Sequence, residues 1–382
     1  MNIRKGKLRL LIAPNAFKES LSSVDVSEAI KKGLQNIIPP ENIDLLPVAD
    51  GGDGSLEVLV RNLGLRKKKF QTVDPLNREI SGECAFSGKE VFIEMASATG
   101  LHLLKEPEKN ASDSNTEGTG ILIKKALDDD VKIVNLFVGG TASMDMGTGI
   151  LKILGFKFMD SNGNEIPAGG IHLGKIVEIV LPEKEVMKYY EDIRFRIFCD
   201  VDNPLTGSKG AVRIFGTQKD NGKTNMQELE KSFEHFANLL MKKTGKDVSE
   251  FEGAGAAGGT PAGLSAFFNI EIQDGAEKIL DFCDFDNHLD KADIVITGEG
   301  KLDEQSLGGK APYIISKRTR KKGKKIIFVG GSVPEKTDNE VYKYFDAVFS
   351  IVPGPVSLNE SLTKSAEWLE RTAYLIAKML YL

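Results

Sequence analysis

Cysteine, histidine and tryptophan are scarce in this chain of 382 residues, with three, four and one copies respectively. Cys84, Cys199 and Cys283 are far apart and form no CxxC pair, so neither a disulfide framework nor a thiolate zinc site is expected. The histidines lack HxH or HExxH spacing, which argues against a histidine-ligated metal. Unpaired cysteines are typical of a reducing compartment.

Long apolar runs are also missing. No stretch reaches the roughly 18 continuous apolar residues that a membrane span needs. The start of the chain has the basic flank of a signal peptide, but its apolar run before Pro14 is shorter than the core of about 7 to 15 residues that such a peptide has. A cytoplasmic protein is therefore expected.

Basic residues are not in excess. Lys and Arg number 50 against 55 Asp and Glu, for a net charge of -5. Binding to a nucleic acid backbone needs clustered cations, so neither nucleic acid nor membrane is an expected partner. The local potential can still favour small anions, and we expect a small-molecule substrate and a monomer or homodimer.

Neither a fixed-period repeat nor a low-complexity linker interrupts the chain. Strand and helix signals alternate near the start, with a strand over 8–13, a helix over 22–38, a strand over 43–48 and a helix over 54–63. The alternation resumes at "ADIVITGEG", "KKIIFVGGS" and "DAVFSIV" and ends in one helix from Ser357. This pattern predicts an α/β fold with a doubly wound parallel sheet.

The middle of the chain has a different sequence pattern, with a predicted hairpin around Ser87 and Gly88 followed by glycine-rich blocks. We predict a discontinuous α/β domain formed by 1–74 and 288–382, and an inserted α/β domain over 75–287.

Three polar or glycine-rich stretches directly follow predicted strands of the split domain, namely "PNAFKES", "ADGGDGS" and "TGEGKLDEQSLGGK". Ligands of open parallel sheets bind outside the carboxyl ends of the strands, so the shared position of the three stretches indicates a binding site.

Two interpretations of "ADGGDGS" remain open. It is a strand-to-helix turn, with glycines at positive φ and Asp53 as the helix N-cap, or it is a ligand loop. In the second case Asp50 binds Mg²⁺ or a hydroxyl, while Gly51 and Gly52 let the backbone approach an anion.

The third stretch combines carboxylates with ammonium groups. Glu299 and Asp303 offer hard oxygen ligands, and Lys301 and Lys310 offer cations. This mixture suits a phosphate and metal site, although a solvated polar loop is the alternative. Lys18 similarly lies after a strand and could reach a phosphate or a carboxylate.

In the inserted domain, Asp200 and Asp202 follow a predicted strand, where alternation aims both carboxylates in one direction. They could bind Mg²⁺ or supply a base, or Asp202 could form an Asx turn before Pro204. "FVGGTASMDMGTGIL", which contains Asp145, is either a turn or an anion nest.

The glycine run "GAGAAGG" matches GxGxxG at Gly253, Gly255 and Gly258, but no buried strand precedes it. A backbone cradle for phosphates at the start of a helix through Phe267 fits better than a dinucleotide site. "SLGGKA" lacks the strict Walker A pattern, and no GxSxG is present.

Read in order, these blocks resemble the bacterial glycerate kinase family, type I. The resemblance covers almost the whole chain: "APNAFKESLSS", "PVADGGDGS", "EMASATGL", "GTG" at 118–120, "GGTASMDMGTG", "CDVDNPLTGSKGAVRIFGTQK", "GAGAAGG" and "ADIVITGEGKLDEQSLGGKAP". It implies a flavodoxin-like domain joined to an inserted α/β domain likened to restriction enzymes. It also implies ATP-dependent phosphorylation of D-glycerate, with 2-phosphoglycerate favoured as the product, in the cleft between the domains.

This sequence departs from the family pattern at a few positions. Asn15 and Ala16 stand where the family commonly has Asp-Ser, which puts a polar contact near Lys18 in doubt. Asp53 replaces the usual Glu, and Met146 replaces a common glycine. Ser55 and Ser306 stand where Thr is usual, and "QKDN" at 218–221 replaces "QKGA".

With ATP and Mg²⁺ as the expected cofactors, each candidate residue receives a role. The catalytic candidates are Asp200, as general base, Asp303 and Lys18. The substrate-binding candidates are Lys18, Ser20, Asp50, Gly51, Gly52 and Glu299. The nucleotide-binding candidates are Gly253, Gly255, Ala256, Gly258, Gly259 and Lys310. The metal candidates are Asp200, Asp202 and Asp50. A nicotinamide-dependent hydroxyacid oxidoreductase and a non-catalytic small-acid-binding protein remain as alternatives.

Overall fold

The computed structural model describes residues 8–307, 309–336 and 340–381. Residues 1–7 and 382 of the predicted split domain, and Gly308 of the "SLGGK" stretch, lie outside the described residues.

Strands and helices alternate along much of the chain. The strands are β1 (Leu10–Ile12), β2 (Ile43–Leu45), β3 (Arg66–Val73), β4 (Glu79–Ser87), β5 (Glu90–Glu94), β6 (Ile133–Phe137), β7 (Lys157–Met159), β8 (Glu178–Val180), β9 (Arg194–Phe198), β10 (Asn269–Gln273), β11 (Ile294–Lys301), β12 (Lys325–Ser332) and β13 (Ala347–Ser350). The α-helices are α1 (Ser23–Leu34), α2 (Ser55–Leu63), α3 (Ala96–Thr99), α4 (Glu117–Leu127), α5 (Thr148–Ile153), α6 (Lys184–Glu191), α7 (Ala211–Phe215), α8 (Met226–Thr244), α9 (Ala256–Ser265), α10 (Gly275–Phe282), α11 (Phe285–Lys291), α12 (Ala311–Lys321), α13 (Leu358–Thr363) and α14 (Ser365–Leu380).

The chain forms two compact units. The first comprises 1–50, 57–64 and 274–382, and the second comprises 51–56 and 65–273. Residues 65–73 join the second unit because β3 pairs with β4 along its whole length. The segment 274–287 joins the first unit, where α10 packs against α12. The units therefore group these segments differently from the predicted domains, whose bounds stay a prediction.

The first unit contains a parallel sheet with the order β13-β12-β11-β1-β2. Numbered by their order within this sheet, the strands run 2-1-3-4-5, which is the flavodoxin-like order. The predicted doubly wound parallel sheet is confirmed.

Both faces of this sheet are buried. Leu10, Ile12, Ile296 and Val329 form one core cluster with the helices α1 and α14. Alternate side chains of the same strands, including Leu11, point to the other face and are equally buried, and α12 packs against β11 and β12. Continuous apolar runs, rather than alternating ones, are expected of such two-faced strands.

The second unit contains a mixed sheet with the order β10-β9-β6-β5-β4-β3. The strands β5, β6, β9 and β10 are parallel, whereas β3, β4 and β5 form an antiparallel meander that includes the predicted hairpin at 87–88. The strands β7 and β8 form a separate ribbon. A second α/β unit is therefore confirmed, and its likeness to restriction enzymes stays a prediction.

Two predicted elements differ in the structure. The strand β11 continues through Lys301, so Glu299 lies within the strand and not in a loop after it. The single helix predicted from Ser357 is divided at Lys364 into α13 and α14, although Ser357 does cap the first of them by accepting the Glu360 amide. Among the described residues, none of the helices combines the length and apolarity required to cross a membrane.

Candidate functional site

Polar side chains collect at the carboxyl ends of β1 and β11, where the strand order of the first unit reverses. Such a reversal opens a crevice that is the usual ligand site of this sheet type. Backbone hydrogen bonds of 2.8 Å join Ala13 N to Ile296 O and Asn15 N to Gly298 O. The chain after β1 therefore stays beside β11, and "NAFKES" and "TGEGKLDEQS" reach the same edge of the sheet.

Asp50 is a buried carboxylate of this edge, with 7% of its surface exposed. The Val48 amide donates to Pro14 O at 3.0 Å, which holds the segment before Asp50 beside the chain that follows β1. The side-chain amide of Asn15 donates to Asp50 Oδ2 at 3.2 Å. Asn15 therefore makes a polar contact with the predicted substrate ligand Asp50, whereas the contact near Lys18 that its departure from the family pattern put in doubt is not tested by this bond.

Glu299 is the second buried carboxylate of the edge and is 5% exposed. Ser306 Oγ donates to Glu299 Oε1 at 2.6 Å, and Lys310 Nζ donates to Oε2 at 3.2 Å. Burial raises the pKa of Glu299, Lys310 and Ser306 oppose this shift, and the negative charge of Asp50 adds to it. Two carboxylates and one ammonium group thus interact electrostatically at the strand reversal.

An open cavity of about 370 Å³ lies at the carboxyl ends of β11 and β12. The ion pair between Lys301 and Asp303, 3.0 Å long, lies on its wall. The other lining residues are Leu302, Glu304, Ser332, Val333 and Pro334. The volume falls within the range of about 300 to 1,000 Å³ that is common for small-molecule sites.

Lys18 and Ser20 lie in the tight turn 17–21 after β1. Lys18 is exposed, and the turn packs closely against Gly300, since a Cβ there would lie 3.5 Å from Phe17 Cα. Ser20 Oγ donates to Leu362 O at 2.7 Å and also contacts Ser365 Oγ, at 2.8 Å. These contacts tie Ser20 to the junction of α13 and α14, and its role in substrate binding stays a prediction.

In the second unit, the segment 51–56 forms the turn that leads into α2. Gly51 has a φ of 92°, as the predicted turn requires. The prediction of Asp53 as the N-cap is wrong, because α2 begins at Ser55 and the Leu56 amide donates to Glu94 Oε1 at 2.7 Å. A carboxylate from β5 therefore takes the capping role.

Asp200 and Asp202 follow β9 in an irregular segment, and both are exposed. β9 ends at Phe198, so the strand alternation that predicted a common direction does not extend to the two carboxylates, and that direction stays a prediction. Exposure leaves both carboxylates accessible to solvent. Gly255 N donates to Asn203 O at 2.9 Å, so the segment that carries Asp202 is held beside the glycine run. Their catalytic and metal-binding roles stay predictions.

The glycine run 253–259 is packed against the protein's own atoms. A Cβ at Gly255 would lie 2.4 Å from Pro204 O, and one at Gly258 would lie 2.1 Å from Ser143 O. Ala257, Gly258 and Gly259 have positive φ, so the predicted regular helix through Phe267 is wrong at its start and at its end, which is Ser265. Close backbone packing accounts for these glycines, and their phosphate role stays a prediction.

A buried polar network underlies the loop 139–149. Asp145 accepts hydrogen bonds from the Thr116 hydroxyl and backbone, and from the Gly147 and Gly149 amides. Lys219 Nζ donates to Thr141 Oγ1 at 3.1 Å and to Ser143 O at 3.0 Å. Burial lowers the pKa of Lys219 to about 7 and raises that of Asp145. This network fits the turn interpretation of the "GGTASMDMGTG" block.

Metal-ligating side chains do not gather in threes or more within the part of the chain that the structure describes. Mg²⁺ commonly takes only one or two carboxylates from the protein and completes its shell with water and substrate phosphates. The paired buried carboxylates Asp50 and Glu299 fit that requirement, since a cation would offset their mutual repulsion.

Sequence reasoning missed the partners of the candidate residues. Ser306 was noted as a departure from the family pattern, but its bond to Glu299 depends on the turn 304–307, which the sequence does not reveal. Glu94 and Lys219 do not stand out in the sequence, because an isolated acidic or basic residue normally lies at the surface. A charged residue directly after the apolar "VFI" of β5 was the one available signal for Glu94.

Comparison with known proteins identifies the family and agrees with the fold. The model of the glycerate kinase family matches residues 10–381. The chain is 37% identical to a protein named glycerate kinase from Halalkalibacterium halodurans, over 96% of this chain and 97% of the relative. It is 35% identical to a protein named glycerate 2-kinase from Escherichia coli K12, over 98% of each. A crystal structure from Salmonella typhimurium LT2, provisionally named glycerate kinase 2, superimposes with a TM-score of 0.83 at 34% identity over 98% of each chain. The chain therefore belongs to the glycerate kinase family.

Proposed function

We propose that the protein transfers the γ-phosphoryl group of ATP to D-glycerate and forms ADP and phosphoglycerate, with the 2-hydroxyl as the favoured acceptor. The observation that carries this proposal is the pair of buried carboxylates, Asp50 and Glu299, beside Lys310 at the strand reversal. Relatives over nearly the whole chain are named glycerate kinase and glycerate 2-kinase.

Glycerate has one carboxylate and two hydroxyl groups, and the side chains of the first unit can complement them. Lys18 is exposed in the turn after β1, where its ammonium group can pair with the substrate carboxylate. Asp50 accepts from Asn15 and retains lone pairs for a substrate hydroxyl. Glu299 orients Lys310, whose Nζ lies 3.2 Å away and can donate further hydrogen bonds to phosphate oxygens.

The transfer itself forms one bond and breaks one bond. The substrate hydroxyl oxygen attacks the γ-phosphorus, the bond from that phosphorus to the β,γ-bridging oxygen breaks, and ADP leaves with the electron pair. We assign the hydroxyl proton to Asp200 as general base, and we assign Asp303 to orienting the reacting groups. Most of the catalysis of such a transfer comes from positioning and charge neutralisation.

Mg²⁺ and ATP complete the proposal. Asp50, Asp200 and Asp202 are the carboxylates that we assign to the metal, which when bound would neutralise charge on the phosphate oxygens. Lys310 and the backbone of Gly253, Gly255, Ala256, Gly258 and Gly259 are assigned to the phosphates. The tight packing of those glycines leaves only their backbone amides for such a role.

The first experiment measures ADP formation by the full chain with ATP and Mg²⁺, with and without D-glycerate. We expect ADP formation to depend on D-glycerate and the ³¹P NMR spectrum of the product to be that of 2-phosphoglycerate. L-Glycerate serves as the matched control substrate. Absence of glycerate-dependent ADP formation would overturn the proposed function, whereas a 3-phosphoglycerate spectrum would overturn only the choice of hydroxyl.

A further inference from the structure

Glu94, the last residue of β5, directs its side-chain carboxylate at the backbone amides of the segment 51–56. Its Oε1 accepts the Leu56 amide at 2.7 Å. The backbone amides of Gly54 and Ser55 lower the pKa of this carboxylate, and the Ser55 amide itself donates to Gly52 O at 3.3 Å. The first amides of a helix have no partners within the helix, so Glu94 supplies the acceptor for the Leu56 amide.

The segment is held from another side by the glycines that follow β6. A Cβ at Gly139 would lie 2.5 Å from Gly52 Cα, and one at Gly140 would lie 2.5 Å from Asp53 Oδ1. Within the segment, Ser55 Oγ donates to Gly52 O at 2.7 Å. The backbone at 52–56 is therefore fixed by contacts with two separate parts of the second unit.

We propose that Glu94 is a positioning residue that fixes the segment 51–56 and thereby the backbone of Gly51 and Gly52, next to Asp50, for binding of D-glycerate. The inference rests on the proposed function, because that function assigns Gly51 and Gly52 to the substrate. Glu94 is not assigned a contact with the substrate; it acts through the Leu56 amide and the backbone that adjoins it.

If Glu94 only stabilised the fold, its replacement by glutamine should lower the unfolding temperature, whereas a positioning role does not require this. Burial raises the pKa of Glu94 to about 7, and among the charged groups around it Asp53 adds to this shift. A carboxyl group whose folded pKa is raised loses its contribution to stability as the pH rises through that value. At pH 8 the charged side chain therefore costs stability, and a neutral amide of the same shape removes this cost.

The test compares wild-type protein with Glu94→Gln at pH 8. We expect the KM for D-glycerate to rise roughly 5-fold or more, since one neutral acceptor replaces a charged carboxylate, with a smaller change in kcat. The midpoint of thermal unfolding should be equal to that of the wild type or higher. Glu94→Asp, which keeps the charge on a shorter side chain, should recover part of the loss in KM. An unchanged KM, or a KM loss accompanied by an equally destabilised fold, would overturn the inference.

Asp74→Asn is the matched control, because Asp74 is a buried carboxylate of the same unit that accepts the Leu76 and Arg78 amides at 2.8 and 3.0 Å in another turn. Its KM should match that of the wild type. Hydrogen exchange gives a readout that does not need catalysis: the amides of 54–56 should exchange faster in Glu94→Gln, and unchanged exchange would refute the positioning role. A wild-type protein without glycerate-dependent ADP formation would instead refute the proposed function.

Discussion

Residue 15 illustrates how one atom changes a buried site. The Asn15 side chain donates through Nδ2 to Asp50 and accepts the Ala16 amide through Oδ1. An aspartate there, as the family pattern commonly has, would present an acceptor where Asp50 needs a donor and would add a negative charge beside a buried carboxylate. The exchange from Asp to Asn therefore reduces repulsion at this end of the sheet.

Asp200 allows a direct test at the same scale. We expect Asp200→Asn to lower kcat roughly 10²-fold or more while ATP still binds, because the amide cannot accept the hydroxyl proton whereas Asp50 and Asp202 remain for the metal. Steady-state kinetics and equilibrium ATP titration are the measurements. Asp247→Asn, which changes an exposed aspartate of the same unit outside the predicted site, should leave kcat unchanged. Near-normal turnover of Asp200→Asn would exclude Asp200 as the general base.

At the scale of elements, the start of α9 depends on glycine for two separate reasons. Gly258 has a φ of 66°, and its missing side chain makes room for Ser143 O. Gly245, the C-cap of α8, has a similar φ of 76° but has open space where a Cβ would lie. Comparison of the two positions separates backbone strain from steric exclusion.

We expect Gly245→Ala to lower the free energy of unfolding by about 1 kcal/mol, which is the cost of a left-handed alanine. Gly258→Ala carries the same strain plus an overlap with backbone that cannot move freely, so a loss of about 3 kcal/mol is expected. Urea unfolding of both variants measures the two losses. Equal losses would mean that the chain around 143 relaxes and that close packing does not require Gly258.

The sequence predicts elements better than it predicts their ends and interruptions. Apolar runs and helical stripes locate β1, α1 and the strands of the split sheet because burial of both sheet faces requires them. The break at Lys364 was missed, since the apolar pattern continues across it. After this break α14 begins at Ser365, with Trp368 buried and Ala366 exposed.

For the candidate site, too, the sequence predicts some features and not others: it predicts which residues reach the site but not the contacts that they make. Asp50 and Glu299 could be assigned to one edge of the sheet from the sequence, because each belongs to a polar stretch that follows an apolar strand signal. The end of β11 itself was not predicted, since the strand continues through Glu299. The bonds from Ser306 and Lys310 to Glu299, and from the segment 54–56 to Glu94, depend on side chains that approach from elsewhere in the chain. No local pattern encodes such contacts, and residues such as Lys219 are therefore recognised only once burial is known.

At the scale of the whole molecule, ligand binding should stabilise the folded chain, and the choice of nucleotide distinguishes the competing functions. A ligand that binds only the folded state raises the free energy of unfolding by RT ln(1 + [L]/Kd), about 2.7 kcal/mol at 100 times Kd. We expect ATP with Mg²⁺ to raise the unfolding temperature and NAD⁺ to leave it unchanged. No effect of NAD⁺ is expected because the strand context of a dinucleotide site is missing before Gly253.

The same measurement tests the metal. Mg²⁺ holds the nucleotide through one or two carboxylates together with the phosphates, so EDTA should abolish most of the shift produced by ATP, and excess Mg²⁺ should restore it. EDTA without ATP serves as the control and should leave the unfolding temperature unchanged. A shift with NAD⁺ and none with ATP would favour the oxidoreductase. An ATP shift that persists in EDTA would place nucleotide binding on Lys310 and backbone amides alone, and would remove the metal from the binding step.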